Sequence, residues 1–102
     1  MQQLVESIGK YLLAVVSPLI RHAESAELRV ANSAEGDLVR FRLLLEQSDV
    51  ARVIGRNGMT ASAIRSLAKA AGEKRGLKVV VHILSKEEAE AAKSEEPAKE
   101  LV

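Results

Sequence analysis

At residues 53–58 the chain reads Val53-Ile54-Gly55-Arg56-Asn57-Gly58, an apolar pair followed by two glycines that bracket a cation and an amide. Glycine supplies backbone conformations that other residues avoid, and its missing side chain lets a phosphate approach the main chain. Upstream, Ser48 is placed as the N-cap of a short helix carrying Val50, Val53 and Ile54 and stopping at Gly55. Downstream, a longer helix is predicted with Ala61, Ile64, Leu67, Ala68 and Ala71 inward, Lys74 and Arg75 in its last turn and Gly76 at C′. The turn therefore feeds a helix start, where unpaired N–H groups and the positive end of the dipole favour an anion. Four residues of the form G-x-x-G also read as a plain corner between two helices, with no ligand.

Working outward, Leu4, Ile8, Tyr11, Leu12, Val15 and Leu19 recur at spacings of three and four, which predicts a helix over residues 2–16. Pro18 disfavours the α conformation at Ser17, so the helix ends there or bends into a short extra turn. Leu28 and Val30, then Val39, Phe41, Leu43 and Leu45, alternate with charged residues as two strands, joined as a hairpin through the turn-rich residues 32–37. Leu77, Val79, Val81 and Ile83 alternate with Lys78, Val80 and His82 as a third strand. The order is helix, strand, strand, helix, helix, strand. Ser85 with Glu88 makes a capping-box pattern for a weak Ala/Glu helix. Residues 1–85 are read as one domain and residues 86–102 as an acidic, mobile tail.

With 102 residues, 47% hydrophobic and 28% charged, the composition is that of a single soluble domain. The absence of Cys excludes disulfides and thiolate chemistry, and makes the cytoplasm the expected compartment. Tyr11 to Ile20 is too short for a membrane span, which needs roughly 20 apolar residues, and the N-terminus carries no export pattern. Tyr11 and Phe41 are the only aromatic residues, which excludes modules that stack bases on aromatic platforms. The net charge of +1 hides a segregation: residues 1–85 carry twelve Lys and Arg against eight Asp and Glu, residues 86–102 three against six. His22 and His82 have no second ligand at metal spacing, and Ser62 and Ser66 have no histidine near in sequence to act as a base. No catalytic constellation, metal site or cofactor is expected. Arg29, Arg40, Arg42 and Lys78 project from the sheet face opposite the helices, either as an accessory basic surface or to keep an open sheet soluble.

Residues 53–58, continued by Ala63-Ile64-Arg65 and Lys69-Ala70, resemble the signature of KH domains. The element order resembles the type II, prokaryotic arrangement, an α+β fold (α-β-β-α-α-β) in which helices cover one face of a three-stranded mixed sheet. A KH domain of this length resembles the small bacterial KhpA (YlqC-type) family over residues 3–84. The resemblance implies binding of single-stranded RNA, with the loop clamping a backbone of four nucleotides. Gly55, Arg56, Asn57 and Gly58 then take the phosphates, and Val53, Ile54 and Ala61 line an apolar groove for the bases. Arg65 and Lys69, four apart, are placed to follow the backbone away from the loop, although solvated charges on an ordinary helix give the same spacing.

The family resemblance further implies an RNA-chaperone or post-transcriptional role, a KhpB (Jag-type) partner, and an influence on envelope growth and cell length. The competing reading is a KH-fold dimerisation scaffold with little RNA affinity of its own. Two linked grooves gain avidity without new contacts, so a homodimer is expected. Its candidate surfaces are the second stripe Val5, Leu13 and Val16, and the small-residue face Ala63, Ala70 and Gly72. The acidic tail either solubilises the domain or competes with RNA for the cationic loop.

Overall fold

The computed structural model describes residues 2–95. Helix α1 (Gln2–Val16) leads through a 3-10 turn at Ser17–Leu19 and a second at Ala23–Ser25 into strand β1 (Glu27–Asn32). Strand β2 (Leu38–Leu45), helices α2 (Gln47–Ile54) and α3 (Met59–Glu73), strand β3 (Lys78–Ser85) and helix α4 (Lys86–Glu95) follow. The sheet order is β1-β2-β3, with β1 antiparallel and β3 parallel to the central β2. This is the α+β fold with a three-stranded mixed sheet that the family resemblance implies.

Period-two alternation sends Val39, Phe41, Leu43 and Leu45 of β2 and Val79, Val81 and Ile83 of β3 to one face. Helix α1 lays Val5, Ile8, Leu12 and Val16 on that face, and α3 adds Ala61, Ile64 and Ala68. Helix α3 approaches β3 so closely at Gly72 that a Cβ there would overlap Val79 and the Leu77 carbonyl. Its C-terminus closes as expected on Gly76: Leu77 N–H donates to Gly72 O (2.9 Å) and Gly76 N–H to Glu73 O (3.1 Å). The extra turn after α1 and the hairpin are likewise present.

Three expectations about side-chain placement are corrected. Ser48 is not the cap of α2. Glu46 holds that position in extended conformation, its carbonyl accepting from Asp49 N–H (2.9 Å) and Val50 N–H (3.2 Å), because the chain leaves β2 straight into the helix. Leu67 and Ala71 do not face the core, since the 61-64-68-72 stripe is the one α3 turns to the sheet. Of the expected dimer surfaces, Val5, Val16 and Gly72 are buried, leaving Leu13, Ala63 and Ala70 exposed.

Ser85 and Glu88 form the reciprocal capping box: Ser85 N–H donates to Glu88 Oε1 and Glu88 N–H to Ser85 Oγ, both at 3.0 Å. Helix α4 then folds back over one end of the outer sheet face, with Ala89 and Leu44 buried. The expectation of a mobile tail also extends to residues 96–102, which lie outside the described residues. Among the described residues no helix is long and apolar enough to cross a membrane.

Candidate nucleic-acid interface

The turn between α2 and α3 is built on its two glycines, for different reasons. Gly55 caps α2 at φ 76°, ψ 178°, its N–H donating to Ala51 O at 3.1 Å. A Cβ at Gly55 would collide with the Thr60 side chain, so both the backbone conformation and the packing demand glycine. Gly58 sits in the left-handed region at φ 73°, ψ 12° with open space where a Cβ would lie, so only its backbone conformation favours glycine. Between them Asn57 also adopts positive φ (57°), which its short amide tolerates. Gly58 N–H donates to Gly55 O at 3.2 Å, closing the turn. Arg56 and Asn57 are exposed, and α3 begins at Met59 with no side-chain cap on its first N–H groups. Met59 N–H already donates to Arg56 O, and the positive end of the α3 dipole lies beside the exposed Arg56 charge.

The expected base-lining residues divide. Val53 (0% exposed) and Ala61 (1%) belong to the core and offer no surface to a ligand, while Ile54 is half-buried beside the loop. The first two are the packing beneath the site, and Ile54 alone of the three reaches its surface. Arg65 is not a freely solvated charge: it is half-buried, and its Nε donates to the Val81 carbonyl of the edge strand β3 at 3.2 Å. Lys69, one turn further along α3, is exposed and borders a depression with Leu77, Val79 and Val80. The α3 face that descends from the loop therefore runs beside the edge of β3.

Behind the loop, α2 is anchored by a carboxylate that the sequence pattern did not single out. Asp49 has no exposed surface and accepts backbone N–H bonds from Arg21 (3.0 Å) and His22 (2.9 Å). The His22 ring Nδ1 lies 3.2 Å from Asp49 Oδ2, and Arg52 Nε 3.5 Å from Oδ1. Burial alone would raise the Asp49 pKa, but the Arg21 and His22 N–H groups, with the His22 ring, hold it below the ordinary carboxylate range. An aspartate in a polar first turn carries no mark of this role, because its partners lie 27 and 28 residues away.

A second feature lies on the helical side. Leu19 (39% exposed), Met59 (68%) and Leu67 (61%) are exposed large apolar residues. With Tyr11, Val15 and Ala63 they line a shallow depression of about 470 Å³ between α1 and α3. The Tyr11 hydroxyl donates to Ile64 O at 3.3 Å and ties the two helices together beneath it. Leu67 escaped the sequence reading because its spacing fits the buried stripe as well as the exposed one. Among the described residues no cluster of three or more potential metal-ligating side chains occurs.

Residues 9–83 match the family model described as the KhpA/KhpB KH domain. The chain is 38% identical over 63 residues to the RNA-binding protein KhpA of Streptococcus pneumoniae TIGR4, covering 62% of this chain and 77% of that protein. It is 35% identical over 72 residues to the RNA-binding protein KhpA of Bacillus subtilis 168, covering 71% and 86%. It is also 35% identical over 74 residues to the RNA-binding protein KhpA of Listeria monocytogenes EGD-e, covering 72% and 93%. With a glycine-bracketed turn between two helices on a three-stranded mixed sheet, and a family match over most of its length, this chain belongs to the KhpA/KhpB family of KH domains.

Proposed function

We propose that the chain binds single-stranded RNA, with Gly55, Arg56, Asn57 and Gly58 taking the backbone phosphates. The observation that carries this reading is the turn itself: two glycines set exposed Arg56 and Asn57 at the uncapped start of α3. Ile54, supported from below by Val53 and Ala61, offers an aliphatic surface to the bases. Arg65 and Lys69 border the path along α3. Van der Waals contact and hydrogen bonds to base edges replace aromatic stacking, so sequence discrimination is low. The relatives' names add the RNA class. A post-transcriptional or RNA-chaperone role, a KhpB-type partner and an effect on cell length rest on the family resemblance.

The test is the double substitution Arg56→Asp, Asn57→Asp, which keeps both glycines and places carboxylates where a phosphate sits. Both positions are exposed, so stability shifts by no more than about 1 kcal/mol. Wild type contacting about three phosphates shows a log–log salt slope near −2, from roughly −0.7 per phosphate on single strands. The variant loses measurable binding. A folded variant that binds RNA like wild type makes the turn a structural corner and overturns the reading.

The exposed apolar surface of Leu19, Met59 and Leu67 supports a second property, self-association through α1 and α3. A dimer built on this surface presents two loops to one RNA. Sedimentation equilibrium checks it: wild type dimerises and Leu67→Glu is monomeric, whereas a monomeric wild type at high micromolar concentration refutes it.

A further inference from the structure

The glycine turn begins at Gly55, the C-cap of α2, so whatever fixes the direction of α2 fixes where Gly55 stands. Little apolar packing holds that helix. Val53 is its one buried apolar side chain, with Val50 and Ile54 half-buried, whereas α1 buries Val5, Ile8, Leu12 and Val16 and α3 buries Ala61, Ile64 and Ala68. Eight residues are also too few for a helix to stand alone, since isolated helices below roughly 12–15 residues are marginal in water. The direct passage from β2 into α2 sets where the helix starts but not the direction in which it points.

The other buried side chain of α2 is Asp49. Its two oxygens take separate donors from the segment between the two 3-10 turns: Oδ1 accepts from Arg21 N–H, and Oδ2 from His22 N–H with the His22 ring beside it. Two backbone donors on two oxygens fix the orientation of the carboxylate as well as its place. Residues 21 and 22 follow α1, whose apolar stripe is set in the core, so the first turn of α2 is tied to a fixed wall. Gly55 lies six residues beyond Asp49, about 9 Å along the helix axis. A tilt of about 10° at the anchor moves Gly55 by about 1.5 Å, roughly three times the width of the hydrogen-bond distance range.

Resting on the RNA-binding reading above, we propose that Asp49 is a positioning residue for the phosphate turn. It acts through α2: the carboxylate holds the helix in one direction, and the helix holds Gly55, Arg56, Asn57 and Gly58 where backbone phosphates meet them. The exposed segment at Arg21 and His22, distant from the turn in sequence, is then a place at which RNA affinity is set.

Asp49→Asn is the test, because it keeps the volume and replaces one acceptor oxygen by an N–H donor that faces a backbone N–H. Affinity for a four-nucleotide single-stranded RNA is measured where circular dichroism shows the variant folded. Ser85→Ala, in the capping box of α4, is the control for stability lost away from the turn. The amide NMR signals of Gly55 and Gly58 are compared with those of Gly36, in the hairpin, and Gly76, in the turn after α3. Asp49→Asn weakens binding about tenfold and moves the Gly55 and Gly58 signals, while those of Gly36 and Gly76 stay. Ser85→Ala binds as wild type does. Should Asp49→Asn not fold, His22→Ala takes its place: it removes only the ring contact of an exposed side chain, weakens binding about threefold and moves the same two signals. Wild-type affinity in the folded variant, unmoved Gly55 and Gly58 signals, or an equal loss of affinity in Ser85→Ala overturns the positioning role. Failure of wild type to bind the RNA overturns the loop reading instead, and the glycine signals still report whether Asp49 holds the turn.

Discussion

Alanine at the two loop glycines separates what the turn needs for folding from what it needs for binding. At Gly55, φ 76° with ψ 178° lies in a region almost closed to other residues, at a cost of about 1–3 kcal/mol. The new Cβ would also lie 2.8 Å from Thr60 Cβ and overlap its hydroxyl, so Thr60 or the loop must move, adding about 1–3 kcal/mol of overpacking. Gly58 is left-handed but open, so alanine there costs about 1–2 kcal/mol and meets nothing. Urea denaturation should therefore place Gly55→Ala about 2 kcal/mol below Gly58→Ala, roughly 8–16 °C in melting temperature for a domain of this size. RNA titration reads the other half: on the proposed phosphate role of the loop, Gly58→Ala, although folded, should weaken binding because its methyl group would stand between a phosphate and the main chain. Equal stability losses at the two positions would refute the Thr60 argument, and wild-type RNA affinity in Gly58→Ala would refute close backbone approach at that residue.

Three further outcomes follow from the geometry. Because Asp49 is held below its ordinary value of 3.8, its stabilising effect is complete above that pH and is lost as pH falls through the lowered folded value. Asp49→Asn should destabilise at neutral pH and flatten the acid limb of the stability curve; an unchanged limb refutes the anchor. His82 is likewise lowered, so stability declines as pH drops below its ordinary value of about 6.5, and proton NMR should give a midpoint below that value in wild type. A midpoint above it refutes the combined effect of burial and of the Arg40, Arg42 and Arg65 charges on His82. Ser85→Ala breaks one arm of the capping box and should cost about 1 kcal/mol with loss of α4 helicity by circular dichroism; no change in either means that α4 is held by other contacts.

Periodicity made most of the fold legible before any coordinates. The α1 stripe and Pro18 place the helix and its extra turn, and alternation around Phe41 and Val81 identifies both inward faces. What stayed hidden was long-range. Leu67 and Ala68 are neighbours in sequence, and which of them faces the sheet is set by the approach of Gly72 to Val79, a contact no local pattern encodes. The glycine turn was visible as a motif, but the burial of Val53 and Ala61 beneath it follows from how α2 and α3 pack on β3. Asp49 and Arg65 look like ordinary helix-surface charges in sequence; their partners, Arg21, His22 and Val81, come together only in the folded chain.

The position of the loop within the connectivity has a kinetic meaning. Strands β1 and β2 pair locally through a short turn, but the parallel partner β3 joins only after residues 46–77 have been closed into a crossover. Residues 55–58 lie inside that crossover. Hairpins form quickly, whereas distant parallel pairing carries the larger closure entropy and comes late. A nascent chain that has emerged only as far as α3 displays the whole glycine motif yet lacks the strand on which α2 and α3 dock. Competence for RNA should then arise in a single late step, with the arrival of β3, rather than growing as the motif is synthesised.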